Sequence, residues 1–413
     1  MSKLIKNKIG LFGFGVVGKG FYHFLSKSNQ DGLLDKIAIK NYNKERIESK
    51  LPFTSDKQKI LNNNSINTVV ELIDGTVDAY EIIKEALIKD KNVVSANKKI
   101  IALNLAEFIA LENKSKGTFL YEGAVCGSVP VLGVLNDWFG NVAIQSLSGI
   151  LNGTSNYILT QIFDKGQSYN EALKKAQELG FAELNPTSDV EGYDSVYKLA
   201  MLILHAFGVI VHPNEILNIG IQNINSKDVA FAQKYGLKIK LIAHAEKKGN
   251  KLNVIVAPQF VSGNESFYQT DNEYNGVLIE TEEIGNQFLK GKGAGSLPTG
   301  SVVFNDVENI KKGIKYNYSK LNNNDLTINN NRDIDVLITL PANQSPANVN
   351  LNFKSIISLE NKHNQYIAQI SYKELLTKKN YINKSKLSIV VIKDKNLIKS
   401  IFKSLYNELE LIA

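Results

Sequence analysis

At 413 residues the chain is too long for one ordinary core and suggests two or three domains, and its 43% hydrophobic and 22% charged content is that of a soluble globular protein. The single cysteine, Cys126, excludes an internal disulfide, and no signal-type apolar segment opens the chain, so a reducing cytoplasmic setting is expected. The longest apolar run, Leu199 to Val211, is interrupted by His205 and too short to cross a bilayer, and the +7 net charge is scattered lysine with no basic–aromatic stripe, so neither membrane nor nucleic acid is an expected partner.

In chain order, Lys8 to Phe12 reads as a strand, Val16 to Lys27 as a helix and Lys36 to Lys40 as a second strand. Thr68 to Leu72 is a third, β-branched strand, followed by a helix from Val77 to Lys89 and a buried strand from Asn92 to Ala96. A helix from Leu105 to Lys116 and a strand from Thr118 to Tyr121 complete the series. Short apolar strands alternating with amphipathic helices predict a parallel, doubly wound α/β sheet of the Rossmann kind over residues 1–130. After Pro130 the pattern changes. Helices are expected at Val131 to Trp138, Ser155 to Phe163, Tyr169 to Leu179 and Val190 to Phe207, and strands at Ala143 to Leu151, Lys251 to Pro258, Gly276 to Thr281 and Ser301 to Phe304. That order predicts an α+β domain over 131–320. Asn322 to Asn331 reads as a polar linker. Beyond it, strands at Asp335 to Leu340, Lys354 to Leu359, Tyr366 to Tyr372 and Leu387 to Ile392, then a helix from Leu397 to Leu409, predict a small α+β domain over 332–413.

The strongest local motif is Gly13-Phe14-Gly15-Val16-Val17-Gly18, placed after a strand and opening a helix. Its first glycine permits a tight turn, the second lets a pyrophosphate approach the backbone, and the third lets helix and strand pack closely. The expected second strand ends in Lys40, with Lys44 and Arg46 beyond, where an NAD site would carry an acid for the ribose hydroxyls. Lysine there favours a 2′-phosphate, and so NADP over NAD, against the alternative that Lys40 is a solvated strand end.

The stretch from Glu183 to Lys198 gathers Glu183, Asp189, Glu191 and Asp194 ahead of Lys198. Asp194 and Lys198 share a helical face, which in a surface helix would be an ordinary i,i+4 ion pair. Here the helix continues Leu199-Ala-Met-Leu-Ile-Leu and is therefore buried, and a partly buried lysine can be tuned for proton transfer. Gly149 to Asn156 and Lys290 to Thr299 are small-residue loops that could serve a ligand or only a turn. Lys98 follows the strand at Asn92 and should lie at the carboxyl edge of the sheet, where ligands bind.

Taken together, Gly13–Gly18, Val70–Thr76, Ser95–Lys98, Glu122–Pro130, Gly149–Asn156, Gly180–Lys198 and Gly291–Val303 closely resemble bacterial homoserine dehydrogenases over about Lys8 to Asp306. The resemblance implies reversible NAD(P)H-dependent reduction of L-aspartate 4-semialdehyde to L-homoserine. It makes Lys198 the proton donor and acceptor, with Lys98 assisting beside the nicotinamide, and Glu183 and Asp194 the holders of the substrate ammonium. Thr76, Gly180, Gly293 and Gly295 would add cofactor contacts to those of Gly13–Gly18, Lys40 and Lys98. Glu122, with Val125, Gly127 and Val129, resembles a site for Na⁺ or another monovalent cation, held mostly by carbonyls. A homodimer formed through the middle domain is implied, and with no kinase-sized segment before Lys8 an aspartokinase fusion is not expected.

The chain departs from the family at several points. Asp74 replaces a glycine beside the nicotinamide loop, and Cys126 and Ser128 replace smaller residues. Residues 332–413 lack the Asp-x-Pro-Gly-Val-Leu signature of an ACT domain, which suggests a diverged ACT-like region serving packing or another regulator. Two other readings stay open. Cys126 could be the nucleophile of an aldehyde-oxidising enzyme, although no histidine lies in a comparable motif. A non-catalytic nucleotide sensor would have lost the catalytic residues, yet Lys98, Glu183, Asp194 and Lys198 are all present.

Overall fold

The computed structural model describes residues 7–41, 50–322, 325–342, 344–359, 364–399 and 401. They form two compact units, one of Met1–Ala143, Ala200–Pro213 and Gly291–Asn324, the other of Ile144–Leu199, Asn214–Lys290 and Asp325–Ala413.

The first unit is built on a six-stranded sheet among the described residues, in the order Phe53–Thr54, Leu34–Ala38, Ile9–Phe12, Thr68–Glu71, Asn92–Ser95 and Phe119–Leu120. Every neighbouring pair is parallel. The inner strands Ile9–Phe12 and Thr68–Glu71 are buried at all four positions, as strands covered by helices on both faces must be. Chain order reverses between these two strands, which sets the ligand-binding crevice at their carboxyl ends. The opening helix spans Val16–Lys27, as expected, and buries Phe21 and Leu25, four residues apart, on one face. It stops because Asn29 takes a left-handed φ of 55°. There the Asn29 and Gln30 N–H groups donate back to the Ser26 and Leu25 carbonyls, which satisfies two otherwise orphaned acceptors. Ile9, Leu11, Phe21, Leu25, Ile37, Val70 and Val94 make one core with Val303 and Val307.

Val303 and Val307 belong to a helix, Ser296–Lys311, where a strand from Ser301 to Phe304 was expected. The β-branched pair Val302-Val303 suggested the strand. The buried residues Thr299, Gly300, Val303, Asp306 and Val307 instead recur at helical spacing, and the helix packs against both the opening helix and the Glu122–Ala124 turn.

The second unit carries a ten-stranded sheet among the described residues. Its path runs Asn286–Lys292, Tyr274–Thr281, Ile144–Ile150, Leu237–Lys248, Lys251–Ser262, Ser388–Val391, Asp333–Thr339, Gln365–Ser371 and Phe353–Ser358. The free side of the long strand Lys251–Ser262 is covered piecemeal. Thr327–Ile328 pairs with its start, Asn218 bridges to Val256 at its middle, and Val391 pairs with Gln259 near its end. The helix expected from Val190 to Phe207 is two helices, Thr187–Val190 and Tyr193–Phe207. Gly192 lies between them at a φ of 83°, which lies outside helical backbone. At the C-terminal end residues 395–399 are helical, and most of the helix expected from Leu397 to Leu409 lies outside the described residues.

Candidate active site

In the first unit the turn after Ile9–Phe12 is sterically committed to glycine. Gly13 has a φ of 90°, and a Cβ there would stand 2.4 Å from the Leu72 carbonyl oxygen; one on Gly18 would stand 2.4 Å from the Gly13 carbonyl oxygen. Gly15 is different, for a Cβ on it would meet nothing within 4 Å. Gly15 and Val16 are exposed, and no side chain caps the helix they open, so its first N–H groups face outward, suited to an anionic group. Phe14 is buried against Tyr22 and Phe53, and Val17 packs on the same core. The Gly293–Gly295 loop reaches the same place, because Ser296 Oγ donates to the Val16 carbonyl at 2.7 Å. Gly293 is buried and Gly295, at a φ of 127°, precedes the helix Ser296–Lys311.

On the neighbouring strand the Glu71 carboxylate accepts from Ser95 Oγ at 2.6 Å and from the Ile73 N–H at 2.8 Å. Burial pushes its pKa up to about 7. Asn97 donates to the Ile73 carbonyl and caps the helix Lys98–Leu103, so half-buried Lys98 starts a helix at the carboxyl end of Asn92–Ser95. Thr76 is exposed at the first position of the helix Thr76–Ile88. Lys40 is exposed just past Leu34–Ala38, while Lys44 and Arg46 lie outside the described residues.

The loop proposed for a cation folds around Glu122, which is 5% exposed. Its carboxylate accepts from the Leu132 and Gly133 N–H groups at 2.8 and 2.6 Å, at the start of the helix Val131–Asp137. The Glu122 N–H donates to Asp306 Oδ2 at 3.0 Å. Burial raises the pKa of Glu122 to about 7, and burial together with repulsion from Glu122 raises that of Asp306 well above the usual carboxylate range. Val125, Gly127 and Val129 are buried in the same loop, and the Ser128 N–H donates to the Lys292 carbonyl. Cys126 is also buried here, while the buried His205 and His244 rings are engaged by the Tyr121 and Ser148 hydroxyls.

The second unit holds Lys198, 7% exposed, near the start of Tyr193–Phe207. Its ammonium is 2.7 Å from Asp194 Oδ2 and donates to the Leu151 carbonyl, also at 2.7 Å. Asn275 Nδ2 donates to the same carbonyl at 3.1 Å. Asn152 Nδ2 donates to Asp194 Oδ2 at 2.9 Å and to Asp189 Oδ1 at 2.7 Å. Lys198 and Asp194 are thus brought together as the sequence suggested. Glu183 stands outside this network, exposed, its own carbonyl accepting from Gln177 Nε2. Gly180, at a φ of 77°, follows the helix Tyr169–Glu178 and donates to the Gln177 carbonyl, which is itself a structural use for glycine. Sequence reasoning left Asn152 as one residue of an ambiguous loop and did not single out Asn275. The helix-capping position of Asn152 was legible, whereas its contact with Asp189, 37 residues on, was not.

A family model described as homoserine dehydrogenase matches residues 130–307. The chain is 34% identical over 321 residues to the homoserine dehydrogenase of Bacillus subtilis (strain 168), covering 75% of this chain and 73% of that one. Among solved structures, a homoserine dehydrogenase from Thiobacillus denitrificans is 26% identical with a TM-score of 0.80, covering 94% of this chain and 98% of its own. A hyperthermophilic archaeal homoserine dehydrogenase mutant, solved in complex with NADPH, shares the fold at a TM-score of 0.64 and 22% identity, over 75% of this chain and 99% of its own.

Proposed function

The chain belongs to the homoserine dehydrogenase family of NAD(P)-dependent oxidoreductases, and from that premise we propose how its own residues serve the interconversion of L-aspartate 4-semialdehyde and L-homoserine. When bound, the nicotinamide supplies or accepts the hydride. Lys198 gives a proton to the aldehyde oxygen in reduction and takes it from the alcohol in oxidation. One observation carries this reading: a buried ammonium held at 2.7 Å by both Asp194 Oδ2 and the Leu151 carbonyl. Those two acceptors use two of its three N–H donors and fix the direction of the third, which is the one a substrate oxygen would take. Lys98 assists proton movement beside the nicotinamide, and Glu183 and Asp194 hold the substrate ammonium.

Gly13, Phe14, Gly15, Val16, Val17 and Gly18 receive the dinucleotide, a reading supported by the open backbone at Gly15. Thr76, Lys98, Gly180, Gly293 and Gly295 contribute further contacts, and exposed Lys40 favours NADP over NAD through its 2′-phosphate. Residues 1–130 are the dinucleotide-binding domain, 131–320 the substrate-binding and dimerising domain, and 332–413 a diverged ACT-like region. Glu122, with the carbonyls of Val125, Gly127 and Val129, suits Na⁺ or a similar ion, because a cation there would offset two buried, mutually repelling carboxylates. The working form is a cytoplasmic homodimer acting on a small molecule, without nucleic acid or membrane. Among the described residues no helix is long and apolar enough to cross a membrane.

The test follows nicotinamide absorbance with L-homoserine and NADP⁺ or NAD⁺ in the wild type and in Lys198→Ala. Homoserine-dependent reduction should fall at least about 100-fold in the variant. Turnover that survives the substitution would remove Lys198 from the chemistry.

A further inference from the structure

The segment Asn152-Gly153-Thr154-Ser155-Asn156 has no part in the chemistry assigned above. Asn152 is 5% exposed, and the two ends of its amide are used differently. Oδ1 accepts from the Ser155 N–H at 2.7 Å and caps the helix Gly153–Lys165. Nδ2 carries two hydrogens and has two carboxylate acceptors, Asp189 Oδ1 and Asp194 Oδ2. The cap requires an acceptor facing Ser155, so the donor end is turned toward the carboxylates, and the amide has one workable orientation.

We propose that Asn152 is a positioning residue for proton transfer at Lys198, its amide nitrogen fixing Asp194 Oδ2 on the ammonium and tying Asp189 into the same arrangement. The proposal rests on the reading of Lys198 as the proton-transfer group. The physical case is one of charge. Two carboxylates drawn toward one point repel each other, and a neutral double donor between them relieves that repulsion without adding a positive charge to compete for Lys198. It also holds the Asp194 oxygen still, so the ammonium does not follow a wandering partner. The titratable groups concerned are Asp194, Tyr193 and Tyr197 on the helix that carries Lys198, and Asp189 on the short helix Thr187–Val190. The strand-to-helix turn contributes the neutral Leu151 carbonyl and Asn152, and the strand Tyr274–Thr281 contributes neutral Asn275.

Asn152 serves both as a helix cap and as a carboxylate donor, and substitution can separate the two. Asp and Ser cap helices about as well as Asn, so Asn152→Asp and Asn152→Ser keep the first role and lose the second. The experiment records kcat and KM for homoserine oxidation against pH in the wild type, both variants and Lys198→Met, with a melting temperature for each. Both Asn152 variants should melt near the wild type, with the dinucleotide KM unchanged and kcat lowered about tenfold or more. In Asn152→Asp the added carboxylate should strengthen the proton's hold on Lys198 and move the ascending limb of the pH profile upward by about one unit. Asn152→Ser, which adds no charge, should lose kcat with a smaller displacement. Wild-type kcat and pH profile in both variants, beside an inactive Lys198→Met, would overturn the role of Asn152 and leave Lys198 standing. If Asn152→Asp melts early, Asn152→Ser decides, and wild-type kinetics there overturn the proposal. An active Lys198→Met would sink the underlying reading instead.

Discussion

Gly20 and Gly300 meet where the opening helix Val16–Lys27 crosses the helix Ser296–Lys311, so closely that a Cβ on Gly300 would lie 2.3 Å from the Gly20 carbonyl carbon. A Cβ on Gly20 would in turn lie 1.9 Å from the Ser296 carbonyl oxygen. The obstacles are backbone atoms, which cannot turn aside as a side chain would. Ser296 also bonds the Val16 carbonyl, so this crossing helps to place the start of the opening helix, the segment proposed to receive the dinucleotide.

Gly20→Ala should therefore destabilise the protein by about 1–3 kcal/mol or more, and it should weaken dinucleotide binding as well as lower the melting temperature. Denaturant unfolding and a dinucleotide titration check the two effects. Wild-type values in both would mean the helices can separate without consequence.

Lys40→Asp should move cofactor preference toward NAD by replacing an ammonium with an acceptor for the ribose hydroxyls. The ratio of kcat/KM for NADP⁺ over NAD⁺ is expected to fall about tenfold or more, the order of one lost exposed charge contact and one new repulsion. An unchanged ratio would make Lys40 a solvated strand end.

Burial that raises the Glu71 pKa from 4.5 to about 7 means the folded chain binds more protons than the unfolded one between those values. Stability from this group is therefore complete below about pH 4.5 and declines as pH rises through 7. Glu71→Gln should stabilise the protein at pH 8, by on the order of 3 kcal/mol, and differ little from wild type near pH 4.5. Melting temperatures across that range check it, and a variant less stable at pH 8 would show that the charged form is required.

Glu122 has the same sign, its contribution fading as pH rises through about 7. Asp306, held well above the usual carboxylate range by burial and by Glu122, acts in the same direction, and this links the two to the proposed cation. Replacing choline chloride by sodium chloride at constant ionic strength should raise the melting temperature at pH 8 and much less at pH 5. Glu122→Gln should abolish the difference. Equal responses to the two salts at pH 8 would remove the ion from this loop.

What the sequence revealed depended on how local the cause was. The Val16–Lys27 helix and the glycines before it were legible, because a turn at Gly13 and the packing of Phe21 and Leu25 are set within a few residues. The strand Leu237–Lys248 went unread, since Lys238, Lys240 and His244 interrupt its apolar pattern. Lys240 is nevertheless buried there, because Asn156, Asp271 and the Thr270 carbonyl, distant in sequence, take its N–H donors. The Lys198–Asp194 pair could be seen from helical spacing. The Asn152 amide joining Asp194 to Asp189 could not, because only the folded chain brings the three together.

The piecemeal cover along Lys251–Ser262 bears on any shortened form of the chain. Two of its three patches, Thr327–Ile328 and Val391, come from the C-terminal part. Cutting before residue 325 would strip both from a twelve-residue strand that is buried along most of its length. Unpaired N–H and C=O groups beside such apolar side chains form a template for strand addition by another copy. The C-terminal strands thus guard against self-association whether or not they bind an effector, and a truncated chain is expected to be lost to aggregation before its catalysis can be compared.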